Sequence, residues 1–449
     1  MSTSNRWKQT VVGVAMSTAI SGGLLADGST VPPARLAHEH VNAGLEAGRD
    51  DPALEWNQIF VETLIALNTA NSASQRLGAI VHTAIFDAYN GIERRYEPIY
   101  VDATAPHGAS RRAAVIAAAY TTLVSLFPAR EGVLTDRYNT SIAALVDDGE
   151  DGGQALQRGI DWGTQVAEDV LVWRAADGFN DPYPPFTGGP AVGQWRPTPP
   201  ASAPMSAQAL AFTEMFVLRV QFDPPPPRPL ASEEYTEDFN AVKSLGRRTN
   251  STRTPDQTSL AFFWEGNASV HWNQAANQIA RANHKSLSEN VRLLALLNLA
   301  MADTAFTTWQ SKRFYGADPA EVTWRPVTAI PLAATDDNPD TEPEDGWTPL
   351  INTPAHPEYL SGHCSLNGAA ATILLAWFDD AQTFDLTTTG QPPRTYTSIS
   401  EARAIGNAAR VWGGMHYPST NRVSDRNGAD IANWVNTNAL RPLHGPLSR

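Results

Sequence analysis

Cysteine is almost missing from this sequence: Cys364 stands alone among 449 residues, which excludes an intramolecular disulfide and a cysteine-based zinc cage. Charge is sparse as well, at 18% of residues, and 47 acidic against 33 basic side chains leave a formal net charge of −14. Broad surfaces for nucleic acid or anionic membrane gain affinity by neutralising phosphates with Lys and Arg, so this balance argues against both. Any anion site must be a local concentration of positive charge. Beyond the N-terminal region no segment runs through eighteen uninterrupted apolar residues, so no membrane span is expected. Strand-like alternation and internal repeats are absent too, which points to an all-α protein.

What is present begins with Arg6 and Lys8, followed by an apolar run from Val11 to Ala26 broken by Ser17, Thr18, Ser21, Gly22 and Gly23. Residues 1–30 read as a signal peptide or a disordered leader. The first implies a secreted or periplasmic protein and the second a cytoplasmic one. His38-Glu39-His40 has metal-like spacing, but it lies in a polar leader and is read as a chance cluster.

Apolar residues at helical spacing predict two helices between Glu55 and Asn90, a third capped by Ser110 and ending before Pro128, and further helices over 132–146 and 155–175. The Pro-, Gly- and aromatic-rich stretch 181–204 reads as a long packed loop and a boundary, giving an N-terminal helical half over 31–205 and a C-terminal half over 206–449. In the second half helical patterns cover 207–217, 232–245, 255–264, 286–309, 363–378, 399–412 and 425–438. Eight prolines between Trp309 and Ser361 forbid a sustained helix there, so that segment reads as an irregular wall lining a site. Its Trp324, Trp347 and Tyr359 either line the pocket or pack it, and its acidic residues at 336–337 and 342–345 read as a solvent-facing loop without calcium-loop spacing.

Three short segments of the C-terminal half combine residue types suited to one oxyanion: Trp324-Arg325-Pro326, Ser361-Gly362-His363, and Arg410 followed six residues later by His416. Two guanidinium groups are permanently charged planar forks that match tetrahedral oxyanions, while Ser361 and the Gly362 N–H add neutral donors. Ser361-Gly362 also precedes a predicted helix start, where free N–H groups and the helix dipole favour negative charge. His363 and His416 contribute imidazoles able to act near neutral pH. Each segment alone is weak, but their order and spacing together are specific.

The ordered set resembles the signature shared by vanadium haloperoxidases and the type 2 phosphatidic-acid-phosphatase superfamily, K-x6-R-P, P-S-G-H and S-R-x5-H-x3-D. The blocks 324–330 (WRPVTAI), 356–364 (HPEYLSGHC) and 410–417 (RVWGGMHY) are similar to the bacterial haloperoxidase-like branch, as are the stretches around 82–96 and 245–264. The resemblance implies an all-α fold of helical bundles whose C-terminal half holds orthovanadate in an oxyanion pocket. Arg325 and Arg410 would bind its equatorial oxygens, Ser361 and Gly362 would donate to them, and His416 would bind the vanadium. His363 would be the acid–base residue.

Three departures stand out. Asp318 occupies the family lysine's place, and Lys312, thirteen residues before Arg325, is the candidate to replace it. Leu360 replaces the proline before Ser361. Ala409 and Thr420 stand where the third motif has Ser and Asp, so the usual carboxylate does not orient His416.

The implied activity is oxidation of a halide by hydrogen peroxide, giving a hypohalous-acid equivalent that halogenates small organic substrates. Neither haem nor thiol is needed, and a homo-oligomer is compatible with it. His356, seven residues before His363, sits where bromoperoxidases of the resembled family carry a second histidine, which implies a preference for bromide or iodide and a catalytic part for His356. Two alternatives use the same residues: a phosphomonoesterase with a phosphohistidine at His416, and a non-catalytic oxyanion-binding protein.

Overall fold

A computed structural model describes residues 51–145 and 153–443; the 1–30 leader and His38-Glu39-His40 lie outside the described residues. Helix α1 (Pro52–Ala66) starts where the Asp51 carboxylate accepts from the N–H groups of Ala53 and Leu54, with Pro52 in the first turn where no N–H is needed. Its buried face carries Trp56, Ile59, Phe60 and Leu64. Helix α2 (Asn71–Glu93) follows, and α3 (Arg111–Leu126) begins at the predicted Ser110 cap and stops before Pro128. Next come α4 (Glu131–Ala143) and α5 (Gln154–Ala175). Helices α3 and α5 touch backbone to backbone: a Cβ at Gly163 would lie 2.3 Å from the Ala114 carbonyl oxygen, so only glycine allows the crossing.

The predicted helix over 207–217 does not form. Only a single 3-10 turn, Gln208–Ala211, is present, because the N–H groups of Phe216, Val217 and Leu218 turn onto the buried carboxylate of Asp303 at 2.7, 3.0 and 2.8 Å. Asp87 on α2 does the same for Ile99, Tyr100 and Val101. In each case one mid-helix aspartate satisfies three backbone donors of a distant segment, which frees that segment from the need for a helix.

Helices α6 (Glu233–Leu245) and α7 (Pro255–Phe263) match expectation, the latter through a Thr254/Gln257 capping box. Helix α8 (Ala268–Ala282) was not foreseen. It is rich in Asn and Gln, yet it is buried: Asn273 and Asn298 exchange paired amide bonds at 3.1 and 2.9 Å, and Asn277 pairs with Asn57. Helix α9 (Leu287–Ala317) opens on a Ser286/Glu289 capping box and runs two turns past the predicted end. It is buried on nearly every face and forms the axis of the fold, packed by α2 and by the helices over 362–377 and 418–438.

After the one-turn α10 (Pro326–Ala329) and an irregular stretch come α11 (Gly362–Trp377), a hairpin of two three-residue strands, β1 (Phe384–Leu386) and β2 (Arg394–Tyr396), then α12 (Ile399–Trp412) and α13 (Pro418–Asn438). The architecture is all-α apart from this hairpin. Helix α13 begins seven residues earlier than predicted, with Pro418 in its first turn. Helices α11 and α13 interlock through Gly368 and Gly428, whose added Cβ atoms would lie 2.1 and 1.9 Å from the Asp425 and Ser365 carbonyl oxygens. No single helix among the described residues is long and apolar enough to cross a membrane.

Candidate functional site

The three motifs arrive from three different element junctions. Arg325 is the N-cap of α10 and Ser361 that of α11, while Arg410 sits in the last turn of α12. Beyond Arg410 the chain reverses through Gly413 and Gly414. Gly414 has φ +75° and room for no side chain, since a Cβ would lie 2.6 Å from the Gly246 carbonyl oxygen. This turn places His416 between the end of α12 and the start of α13.

Arg325 organises the centre. Its Nε donates to the His356 carbonyl at 2.9 Å and its Nη1 to the Met415 carbonyl at 2.8 Å. Nη1 also meets His416 Nε2 at 3.0 Å, and Nη2 meets His356 Nδ1 at 2.7 Å. A guanidinium can only donate, so His416 Nε2 and His356 Nδ1 are acceptors and each neutral ring carries its proton on the other nitrogen. His416 Nδ1–H then has a partner: Glu358 Oε1 at 2.9 Å. His363, half-buried in the first turn of α11, donates from Nε2 to the Gly266 carbonyl at 3.2 Å, which puts its proton on Nε2 and leaves Nδ1 as the basic nitrogen.

Lys312 belongs to this cluster. Its side chain is fully buried, and Nζ donates to the carbonyls of Pro357 (2.6 Å) and Glu358 (3.1 Å). It is therefore no solvated helix end. The extra turns of α9 bring it in, three residues beyond Trp309, whose ring lies 5.4 Å from that of His356. Arg410 is 2% exposed and is anchored by Nη1 to the Trp264 carbonyl at 3.1 Å.

Burial sets the electrostatics. It pushes His416, His363 and His356 well below the usual imidazole range, assisted by Arg325 and Lys312 at His416, by Arg410 at His363, and by Lys312 and Arg325 at His356. All three rings are neutral at pH 7. Burial also lowers Lys312, with Arg325 adding to it, and brings Arg325 down to about 9, still charged at neutral pH. Glu358 is raised by burial while Arg325 and Lys312 pull it back.

Three cationic side chains thus meet two carboxylates, Glu358 beside Arg325 and Lys312 and Glu265 near Arg410, at a place where charge is costly unless paired. Two donors also await a partner: Arg410 Nε has none among the described residues, and Ser361 Oγ has only the Cys364 thiol, a weak group whose own proton is directed at the Asn407 carbonyl. The deficit of negative charge and of acceptors is what a tetrahedral oxyanion would supply, so the residues present fit vanadate or phosphate.

Every predicted site residue lies in or against this cluster, whereas the three aromatics of the Pro-rich wall pack it from behind. Trp324 donates to Tyr235 Oη, Trp347 to the Lys243 carbonyl and Tyr359 to the Pro225 carbonyl. Two features escaped the sequence reading. One is the Trp264-Glu265-Gly266 turn, whose carbonyls hold Arg410 and His363. The other is Glu358, so a carboxylate does face His416, though not one from the third motif. A lone acid in a Pro-rich loop carries no periodicity, and only its place inside the 356–364 block could have singled it out.

Comparison with known proteins agrees with this geometry. Residues 292–445 match the family model of the VCPO second helical-bundle domain. The fold is similar to that of a bacterial vanadium-dependent iodoperoxidase, with TM-score 0.73 and 22% identity over 88% of this chain and 98% of that one. A bacterial vanadium-dependent chloroperoxidase is similar in its holo form (TM-score 0.62, 17% identity, 82% and 91% coverage) and in its apo form (0.61, 18%, 82% and 95%). Among curated proteins no sequence matches. The chain has the helical fold of these haloperoxidases.

Proposed function

We propose that this chain is a vanadate-dependent haloperoxidase, oxidising bromide or iodide with hydrogen peroxide to a hypohalous-acid equivalent that halogenates small organic molecules. The observation that carries it is His416: a buried neutral imidazole whose unprotonated Nε2 accepts from Arg325 within a cluster that also holds Lys312 and Arg410. Arg325, Arg410 and Lys312 would hold the charge of the oxyanion, Ser361 Oγ and the Gly362 N–H would donate to it, and His416 Nε2 would ligate the vanadium. Bound vanadate supplies a Lewis-acidic centre that activates peroxide toward a halide without a change of oxidation state. His363, with Nδ1 unprotonated, takes the proton from incoming peroxide and returns it to the leaving oxygen. A halide preference is proposed through His356, whose ring lies tilted against that of Trp309 and keeps its Nε2–H while Nδ1 accepts from Arg325. His356→Phe should alter the ranking of chloride, bromide and iodide.

A second reading is favoured by Glu358. A phosphomonoesterase with His416 as nucleophile needs a carboxylate on Nδ1, and one is present at 2.9 Å. The test runs both reactions on metal-free protein: halide oxidation with peroxide after adding orthovanadate, and phosphate-ester hydrolysis without it. Vanadate-dependent halide oxidation that phosphate inhibits is the expected result. Halide oxidation without vanadate would overturn the reading.

A further inference from the structure

We propose that Glu358 is the positioning residue of His416, holding the ring in the one tautomer that leaves Nε2 free to bond, with Thr420 as its anchor. The inference deepens the reading of His416 as the vanadium-binding imidazole and rests on it. Glu358 is 1% exposed, and both its oxygens are committed. Oε1 accepts from His416 Nδ1 at 2.9 Å and from the Tyr417 N–H at 3.1 Å, while Oε2 accepts from Thr420 Oγ1 at 2.9 Å. Its backbone is pinned as well: its N–H donates to the Thr323 carbonyl at 2.9 Å, and its own carbonyl accepts from Lys312.

Its two oxygens already accept from the Tyr417 N–H and the Thr420 hydroxyl, so it faces the ring as an acceptor and Nδ1 must carry the proton. Nε2 must then be the lone pair, and Arg325, a pure donor, agrees from the other side at 3.0 Å. Two groups of opposite hydrogen-bonding character therefore fix one tautomer from both ends of the ring. Thr420 occupies the position where the third motif has an aspartate, and it has a hydroxyl but no carboxylate to offer the ring. It instead orients a carboxylate delivered from the loop entering α11, so the same bond to Nδ1 is made from a different element. The loop is bound to α9 through Lys312 and to the start of α13 through Thr420, which gives the carboxylate little freedom.

Glu358→Gln keeps the size of the side chain but replaces the carboxylate acceptor at Nδ1 by a neutral amide, loosening the hold on the ring and lowering the basicity it lends Nε2. Orthovanadate needs the Nε2 lone pair, whereas inorganic phosphate is held by hydrogen bonds and charge alone. The dissociation constants of both, read by equilibrium dialysis of wild type, Glu358→Gln, Glu358→Asp and Thr420→Val, separate positioning from mere structure. Expected for Glu358→Gln is a loss of vanadate affinity of about ten- to 100-fold, with phosphate binding retained, and a partial rescue in Glu358→Asp. Should Glu358→Gln not fold, Thr420→Val removes only the anchor and must show the same selective loss at a smaller size. Equal losses for both anions, or unchanged vanadate affinity, would overturn the proposal. Wild type that binds phosphate but no vanadate would overturn the haloperoxidase reading itself, and this assignment with it.

Discussion

Replacing Ser361 by Ala should raise the stability of the anion-free protein and weaken its grip on an oxyanion, two effects of opposite sign from one oxygen atom. Ser361 is fully buried at the N-cap of α11, yet its hydroxyl makes no capping bond. The usual cost of about 0.5–2 kcal/mol for losing a Ser cap does not apply. Its backbone is held without the side chain, since the N–H donates to Ser424 Oγ at 2.8 Å and the carbonyl accepts from the Ser365 N–H at 3.0 Å. A buried hydroxyl with no good partner costs about 1–3 kcal/mol, so removing it should stabilise by roughly 1 kcal/mol after allowing for the small void. At this chain length that raises the thermal midpoint by only about 1 °C, but the sign is diagnostic. With the oxyanion bound, the same hydroxyl donates to a charged acceptor, a bond of about 1.5–3 kcal/mol, so orthovanadate should bind roughly ten- to 150-fold more weakly. Differential scanning fluorimetry without anion and equilibrium dialysis with orthovanadate measure the two effects. A midpoint lowered by several degrees would show that the hydroxyl serves the fold, and an unchanged dissociation constant would show that it does not face the anion.

Lys312→Met should destabilise the fold by about 1–3 kcal/mol for each of the two buried carbonyls it abandons, and weaken oxyanion binding at least about tenfold. Urea midpoints and dialysis read these, and full vanadate affinity would remove Lys312 from the site. Acid should destabilise the protein through His82 and His271, which burial pushes down to about 3 and about 4. Their folded values lie below the unfolded 6.5, so this stability is complete above pH 6.5 and is lost as pH falls toward 4, at about 1.4 kcal/mol per pH unit for each. His271→Gln should flatten the pH dependence of the urea midpoint between pH 6.5 and 4.5, and an unchanged slope would contradict the burial argument. Gly428→Ala must push its Cβ against the Ser365 carbonyl oxygen and part α11 from α13, costing about 1–3 kcal/mol or more. Because Ser424 of α13 also holds the Ser361 N–H, anion affinity should fall with the thermal midpoint.

The sequence by itself determined the helices and the ordered donor set. Caps at Ser110, Ser232, Thr254, Ser286 and Ser398 are local bonds within a few residues, and the 3.6-residue period reports which face meets a core whatever that core is. Arg325, Ser361, Gly362, His363, Arg410 and His416 were legible because three short motifs kept their order. Only the tertiary structure decided the rest. Helix α8 was hidden because its Asn and Gln side chains look solvent-facing until they are seen to pair with Asn57 and Asn298. The pattern over 207–217 promised a helix until Asp303, about ninety residues later, claimed the N–H groups of its last two residues and of Leu218 beyond them. Lys312 could be placed only once α9 was known to extend past Trp309. The tautomer of His416 depends on Glu358 and Arg325, 58 and 91 residues away along the chain. A proton's position on a ring follows from which partners surround it in space, and that information is absent from residue spacing.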